Sequence, residues 1–124
     1  MKKSLDTFGR FVIENLFDQG VRKFQQLSNG EVNSPSLRTL QQDLGEFNNK
    51  EIEIIQKLIL EIMTSSTHDF LFAIQEQADF EEDIQLNVAN KNVAELSDGL
   101  HGEIFSESGW IKKYSAFKDL YEEK

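Results

Sequence analysis

The residues best suited to catalysis lie in a glycine-containing segment, 97–103, which reads SDGLHGE. It places two carboxylates, Asp98 and Glu103, on either side of an imidazole, His101, with a serine hydroxyl at its start. A general base held in position by an orienting acid requires these types of side chain. However, the order matches neither a nucleophile elbow nor a phosphate-binding loop, and the Asp-Gly pair suits a tight turn equally well. Asp98, His101 and Glu103 are therefore a candidate functional loop, but we assign no catalytic residue and expect a role other than catalysis.

A second candidate site is acidic, because five carboxylates fall within the eight residues 76–83. Such a cluster is typical of a surface that attracts a cationic protein and makes association fast and salt-dependent. The same charges also suit a solvated helix end, or residues that protect a following strand from aggregation. The predicted partner-binding residues are Glu76, Asp79, Glu81, Glu82 and Asp83.

Part of the acidic segment has the spacing of a metal site. On a helix, Glu76 and Asp79 would lie three positions apart, and both could face one hard divalent cation. All-α nucleotide pyrophosphohydrolases hold magnesium with similar pairs, but they need a second pair on a neighbouring helix. Glu51 and Glu53 do not share that spacing. We expect no metal and no cofactor, and keep a metal-dependent hydrolase of phosphorylated small molecules as an alternative.

The composition restricts the class of protein. The length of 124 residues suggests a single domain, 1–124. The formal net charge of −9, from 22 acidic and 13 basic side chains, repels phosphate backbones and anionic lipid. We therefore expect no direct nucleic-acid binding and no membrane binding. The absence of cysteine excludes disulfides and thiolate metal sites, and no apolar run is long enough to cross a bilayer, so we expect a cytoplasmic protein.

The element predicted to position these residues is a helix over 49–63. Asn48 suits the N-cap, and Glu51 has the spacing of a capping box. Apolar side chains lie on nearly every side of the predicted helix, and a helix of that kind is usually surrounded by other elements. We therefore expect this segment at the centre of the fold.

Four hydroxyl residues, 64–67, follow the central helix and favour helix ends or kinks. The pattern leaves open whether 49–78 forms one bent helix or two. With two helices, His68 and Asp69 would lie in a first turn, where an acid complements the helix dipole. We prefer this capping role to a metal-ligand role, since His101 is the only other histidine.

The remaining pattern gives the fold class as mainly α, a compact bundle of four to five helices around the central helix, about 49–63. Alternating apolar residues and an asparagine-rich turn predict a small β-hairpin near 84–96. The other predicted elements are a helix over about 4–27 with a bend or break at Gly20, a short helix from Ser34–Pro35 to Gly45, and a final helix that begins near Ser108.

Aromatic residues recur at near-helical spacing in the predicted final helix, at Trp110, Tyr114, Phe117 and Tyr121. Docking of this face onto the domain's own core is the favoured interpretation. A stacking or partner-binding platform and a two-fold homodimer are the alternatives.

Three functions fit these observations. The first is a small acidic interaction module, such as an inhibitor or immunity-type protein, that binds a basic protein partner. The second is the metal-dependent hydrolase, and the third is a homo-oligomeric structural module. We favour the first, because the chain is small and acidic and contains no catalytic signature.

Overall fold

The computed structural model describes residues 3–81 and 83–121, and it is mainly helical with one small hairpin, as predicted. A π-helical stretch, Ile13–Phe17, joins the first two helices, so that residues 3–28 form one continuous rod. None of the helices in these two ranges is long and apolar enough to span a bilayer. In chain order the elements are α1 (Lys3–Val12), α2 (Asp18–Ser28), α3 (Arg38–Leu44), α4 (Asn49–Glu76), β1 (Asn87–Val88), β2 (Lys91–Asn92) and α5 (Trp110–Tyr114).

The first rod, rather than the segment 49–63, is the centre of the core. Its apolar stripe continues through the π-helical stretch and packs against the second half of α4 and against the C-terminal third of the chain. A π-helical turn inserts a residue into the helical repeat, which here keeps both Ile13 and Phe17 fully buried. The buried core side chains are Leu5, Phe8, Val12, Ile13, Phe17, Val21, Leu60, Leu71, Val93, Ala94, Leu100, Ile104, Trp110 and Ile111.

Two glycines let other elements approach the first rod closely. A Cβ atom at Gly9 would overlap the indole of Trp110, and one at Gly20 would overlap the side chain of Met63 on α4. The bend or break predicted at Gly20 is absent, since α2 runs through it without interruption. Gly20 instead marks the point where α2 and α4 touch.

The predicted central position of 49–63 is wrong. Only Leu60 is buried in that segment, while Ile54, Leu58 and Ile62 are exposed. A helix with apolar side chains on every side becomes buried only if enough other elements pack around it. Helix α3, which precedes α4 in the chain, has only seven residues and none of them is buried. It therefore does not bury the apolar side chains of the first half of α4.

The start of α4 agrees with the prediction, because both hydrogen bonds of the capping box form. The Glu51 backbone N–H donates to Asn48 Oδ1 at 2.9 Å, and the Asn48 N–H donates to the Glu51 carboxylate at 2.9 Å. The hydroxyl residues 64–67 do not end the helix, since Thr64 Oγ1 donates to its own helix at Leu60 O. A single helix therefore runs from residue 49 to residue 76, and the capping role predicted for His68 is wrong.

The hairpin lies within the predicted range but is short, pairing Asn87 with Asn92 and Val88 with Lys91. Its two turn residues, Ala89 and Asn90, both have positive φ, as a type I′ turn requires. The residues after Asn92 form a 3₁₀ turn rather than a longer strand.

The final helix is shorter than predicted, because the backbone at Ser115 is extended and α5 ends at Tyr114. The buried carboxylate of Asp18 accepts hydrogen bonds from Ser115 Oγ at 2.6 Å and from the Ala116 backbone N–H at 2.9 Å. Ser115 Oγ also accepts from the Phe117 N–H, which makes a turn in place of further helix. Asp18 thus ties the C-terminal segment to the first rod.

Candidate functional site

The acidic segment forms a structured turn at the C-terminal end of α4. Residues Gln77–Glu81 are π-helical, and the side chain of Gln77 spans the turn. Its Nε2 donates to Glu81 Oε2 at 2.6 Å, and its Oε1 accepts from the Ile84 backbone N–H at 3.1 Å. We call residues 76–84 the acidic turn. The side chain of Gln77 thus holds the described backbone of this turn, while Ala78 packs against the core.

The described carboxylates of the acidic turn, Glu76, Asp79, Glu81 and Asp83, are all exposed. The sequence contains no lysine or arginine between Lys57 and Lys91, and seven acidic residues lie in that interval. Within the described ranges none of the four carboxylates forms a salt bridge. The fifth predicted residue, Glu82, lies outside the described residues. The turn is thus a concentrated negative surface without internal neutralisation.

An exposed aromatic side chain stands among these carboxylates. Phe80 is 80% exposed, the largest value among the exposed large hydrophobic side chains, and Ile84 beside it is 61% exposed. Sequence reasoning missed both as surface residues, and Ile84 was assigned to a strand. The only sequence signal for an exposed Phe80 was that it lies between acidic residues and does not belong to a periodic apolar face.

The spacing of a metal site does not produce a metal-binding cluster in the described part of the chain. Among the described residues, no group of three or more histidine, aspartate or glutamate side chains is arranged so that it could hold a metal ion. Asp79 Oδ1 accepts a hydrogen bond from Gln75 Nε2 at 3.2 Å, which draws it towards its own helix.

The candidate loop 97–103 is ordered by hydrogen bonds that do not join its acids to its imidazole. Ser97 Oγ donates to Glu103 Oε2 at 2.5 Å and accepts from the Gly99 backbone N–H at 3.1 Å. Asp98 is exposed. His101 Nδ1 is buried and has no hydrogen-bond partner among the described residues. The loop therefore brings serine and glutamate together, while the orienting acid expected beside His101 is not in place.

His101 belongs instead to a cluster of rings on the face of α4. Its ring centroid lies 5.3 Å from that of His68 and 4.9 Å from that of Phe72, edge to face in both cases. His68 also lies 5.9 Å from the ring of Phe105 and bonds the Asp69 carboxylate through Nδ1 at 3.0 Å. Contacts of this kind stabilise the docking of the loop on α4.

Gln75 connects the two candidate sites. Its buried side chain accepts from the Leu100 backbone N–H at 2.8 Å and donates to Ala94 O at 3.3 Å, in addition to its bond with Asp79. The Gln75 side chain thus connects the loop, the segment after the hairpin and the acidic turn by hydrogen bonds.

The aromatic residues of the C-terminal segment face the domain itself. Trp110 is buried in the core, and Tyr114 and Tyr121 pack against it. Arg10 also lies over the Tyr114 ring, 5.2 Å from its centroid. This agrees with the favoured interpretation that these rings dock on the core.

Comparison of the chain with protein-family models, with curated proteins and with solved structures found no match.

Proposed function

We propose that this protein is an interaction module whose acidic turn binds a cationic protein partner, in the manner of an inhibitor or immunity-type protein. The observation that carries the proposal is the combination of four exposed, unneutralised carboxylates with Phe80 in their midst. An aromatic side chain surrounded by charge is the usual form of an interface anchor with a polar rim.

The two parts of the surface have different roles. The carboxylates attract a basic partner over a distance and raise the association rate, an effect that salt screens. Phe80 supplies apolar area that becomes buried on contact, and its loss raises the dissociation rate. The bonds made by Gln77 hold the turn in one conformation, which lowers the entropy lost on binding.

The proposal is tested with the basic proteins encoded by genes adjacent to this one, with binding measured by calorimetry at low and high NaCl. We expect the dissociation constant to rise at least about tenfold between 50 mM and 500 mM NaCl. Asp79→Asn combined with Asp83→Asn should flatten this salt dependence. Phe80→Ala should weaken binding at both salt concentrations by about tenfold or more.

Phe11→Ala is the matched control, because Phe11 is also well exposed but lies on α1. It should leave the affinity unchanged. Binding that is insensitive to salt and to all the acidic-turn variants would overturn the proposal, as would the absence of binding to every basic candidate.

A further inference from the structure

The first half of α4 carries an apolar stripe that no described element covers. Ile54, Leu58 and Ile62 follow one another at intervals of four residues, so they lie on one side of the helix. They are 56%, 55% and 47% exposed. We call these three residues the α4 stripe. Exposed aliphatic side chains that lie next to one another, rather than singly, are typical of an interaction surface.

The packing of the rest of α4 shows why residues 3–81 and 83–121 leave the stripe open. One side of the helix is packed on α2 through Met63 and Gly20. Another side borders a groove of about 370 Å³, lined in part by Leu60 and by Leu120 of the C-terminal segment. Both neighbours lie away from the stripe, so no part of the chain that the structure describes occupies it.

We propose that the occupant is a second copy of this protein, whose α4 lies antiparallel across a two-fold axis at Leu58. A two-fold interface must be complementary to itself. The α4 stripe meets this condition, because Leu58 faces its own counterpart and Ile54 faces Ile62 of the second copy. The charges on the stripe's side of the helix balance, with Lys50 and Lys57 against Glu51 and Glu61, so two copies meet without local net repulsion.

The acidic turn determines the relative direction of the two helices. Glu76 lies 18 residues beyond Leu58 on the same helix, which corresponds to about 27 Å. Antiparallel pairing places the two acidic turns about 54 Å apart, which is several times the Debye length of about 8 Å at physiological salt. Parallel pairing would place them side by side, where like charges repel.

The first test is sedimentation velocity from 10 µM to 1 mM. We expect reversible dimerisation of the unmodified chain. Leu58→Asp should raise the dissociation constant at least about 100-fold, because each substitution acts twice across the two-fold axis. Phe11→Asp, which changes an equally exposed residue on α1, should not alter it. Circular dichroism and the fluorescence of the single tryptophan check that both variants are folded.

Disulfide cross-linking tests the direction, since the chain has no cysteine of its own. Leu58→Cys should give a covalent dimer on mild oxidation. Ile54→Cys and Ile62→Cys should each cross-link poorly alone, because the two copies of each residue lie about 12 Å apart along the axis, but a mixture of the two should cross-link well.

Three outcomes would overturn the inference. They are a monomer at 1 mM, equal effects of Leu58→Asp and Phe11→Asp, and faster cross-linking of Ile54→Cys with itself than with Ile62→Cys. If the chain is monomeric but Leu58→Asp abolishes binding of a cationic partner, the stripe binds that partner rather than a second copy. Because the inference does not use the acidic turn as a binding site, it can fail while the proposed function stands.

Discussion

Replacement of Gln75 tests whether one buried amide holds the two candidate sites together. In Gln75→Leu the side chain keeps a similar volume but loses its bonds to the Leu100 N–H, to Ala94 O and to Asp79. Leu100 is fully buried, so its N–H would lack a partner. An unsatisfied buried N–H costs about 1–3 kcal/mol, and the lost bond to the Ala94 carbonyl adds about 1 kcal/mol. The apolar surface that the leucine side chain buries offsets part of this cost. We expect the free energy of unfolding to fall by about 2–3 kcal/mol in total.

The charge of the side chain provides a second test at the same position. In Gln75→Glu the carboxylate still accepts from Leu100, but it faces the Ala94 carbonyl and Asp79 without a proton to donate. The neighbouring acid and the buried setting raise the pKa of the introduced carboxyl above its value in the unfolded chain. The folded variant therefore binds its proton more tightly, so the destabilisation relative to the unmodified protein should be smaller at pH 5 than at pH 7.

Urea denaturation followed by tryptophan fluorescence measures both variants, because Trp110 is the only tryptophan and is buried. Gln56→Leu is the control, since Gln56 lies on the same helix and its side chain makes no hydrogen bond to a described residue. It should change the free energy of unfolding by less than about 0.5 kcal/mol. A loss for Gln75→Leu no larger than that of Gln56→Leu would refute the assigned role.

Three further substitutions test how the first rod holds its neighbours. Gly9→Ala should destabilise by about 1–3 kcal/mol in urea denaturation despite its better helix propensity, because the rigid indole of Trp110 must move. Gly20→Ala should cost less, because the flexible side chain of Met63 can adjust, and a larger loss than that of Gly9→Ala would contradict this packing. Asp18→Ala removes two hydrogen bonds to a charged acceptor and should cost about 3 kcal/mol, with a loss below about 1 kcal/mol counting against the tie to the C-terminal segment.

The features that the sequence predicted well are those determined by residues close together in the chain. The capping box depends on Asn48 and Glu51, three positions apart, and it forms as predicted. The hairpin was likewise indicated by the asparagine-rich segment 90–92 between apolar residues. Its turn lies one position earlier, at Ala89 and Asn90, which have positive φ, while Lys91 and Asn92 form β2. Such signals need no knowledge of the tertiary structure.

The position of the core could not be read from the same patterns. Periodicity shows which sides of a helix are apolar, but not how many neighbours are available to cover them. Segment 49–63 is more apolar than the first rod, yet the rod supplies Phe17 and Val21, which are fully buried. The rod is buried because it contacts residues 93–111, which are distant from it in sequence.

The candidate site was predicted in composition but not in arrangement. The acidic residues were identified, whereas Phe80 was missed because an exposed aromatic residue has no periodic signature. The bond between Gln75 and Leu100 joins residues 25 positions apart, and an isolated glutamine in a helix predicts nothing of this kind. In the candidate loop, Glu103 accepts a hydrogen bond from Ser97 rather than orienting His101, because of the loop geometry.

The exposure of the α4 stripe follows from a mismatch of length between the helix and the core. Helix α4 has 28 residues and is about 42 Å long, whereas its buried residues extend only from Leu60 to Gln75. The core therefore supports the helix from Leu60 to its C-terminal end, and only the first part of the helix, residues 49–59, extends beyond it. The first end must be stabilised by its own capping box and by α2, which leaves the α4 stripe free to bind without disturbing the core. The other end continues into the acidic turn, which Gln77 holds locally, so each surface can be altered by substitution while the fold is retained.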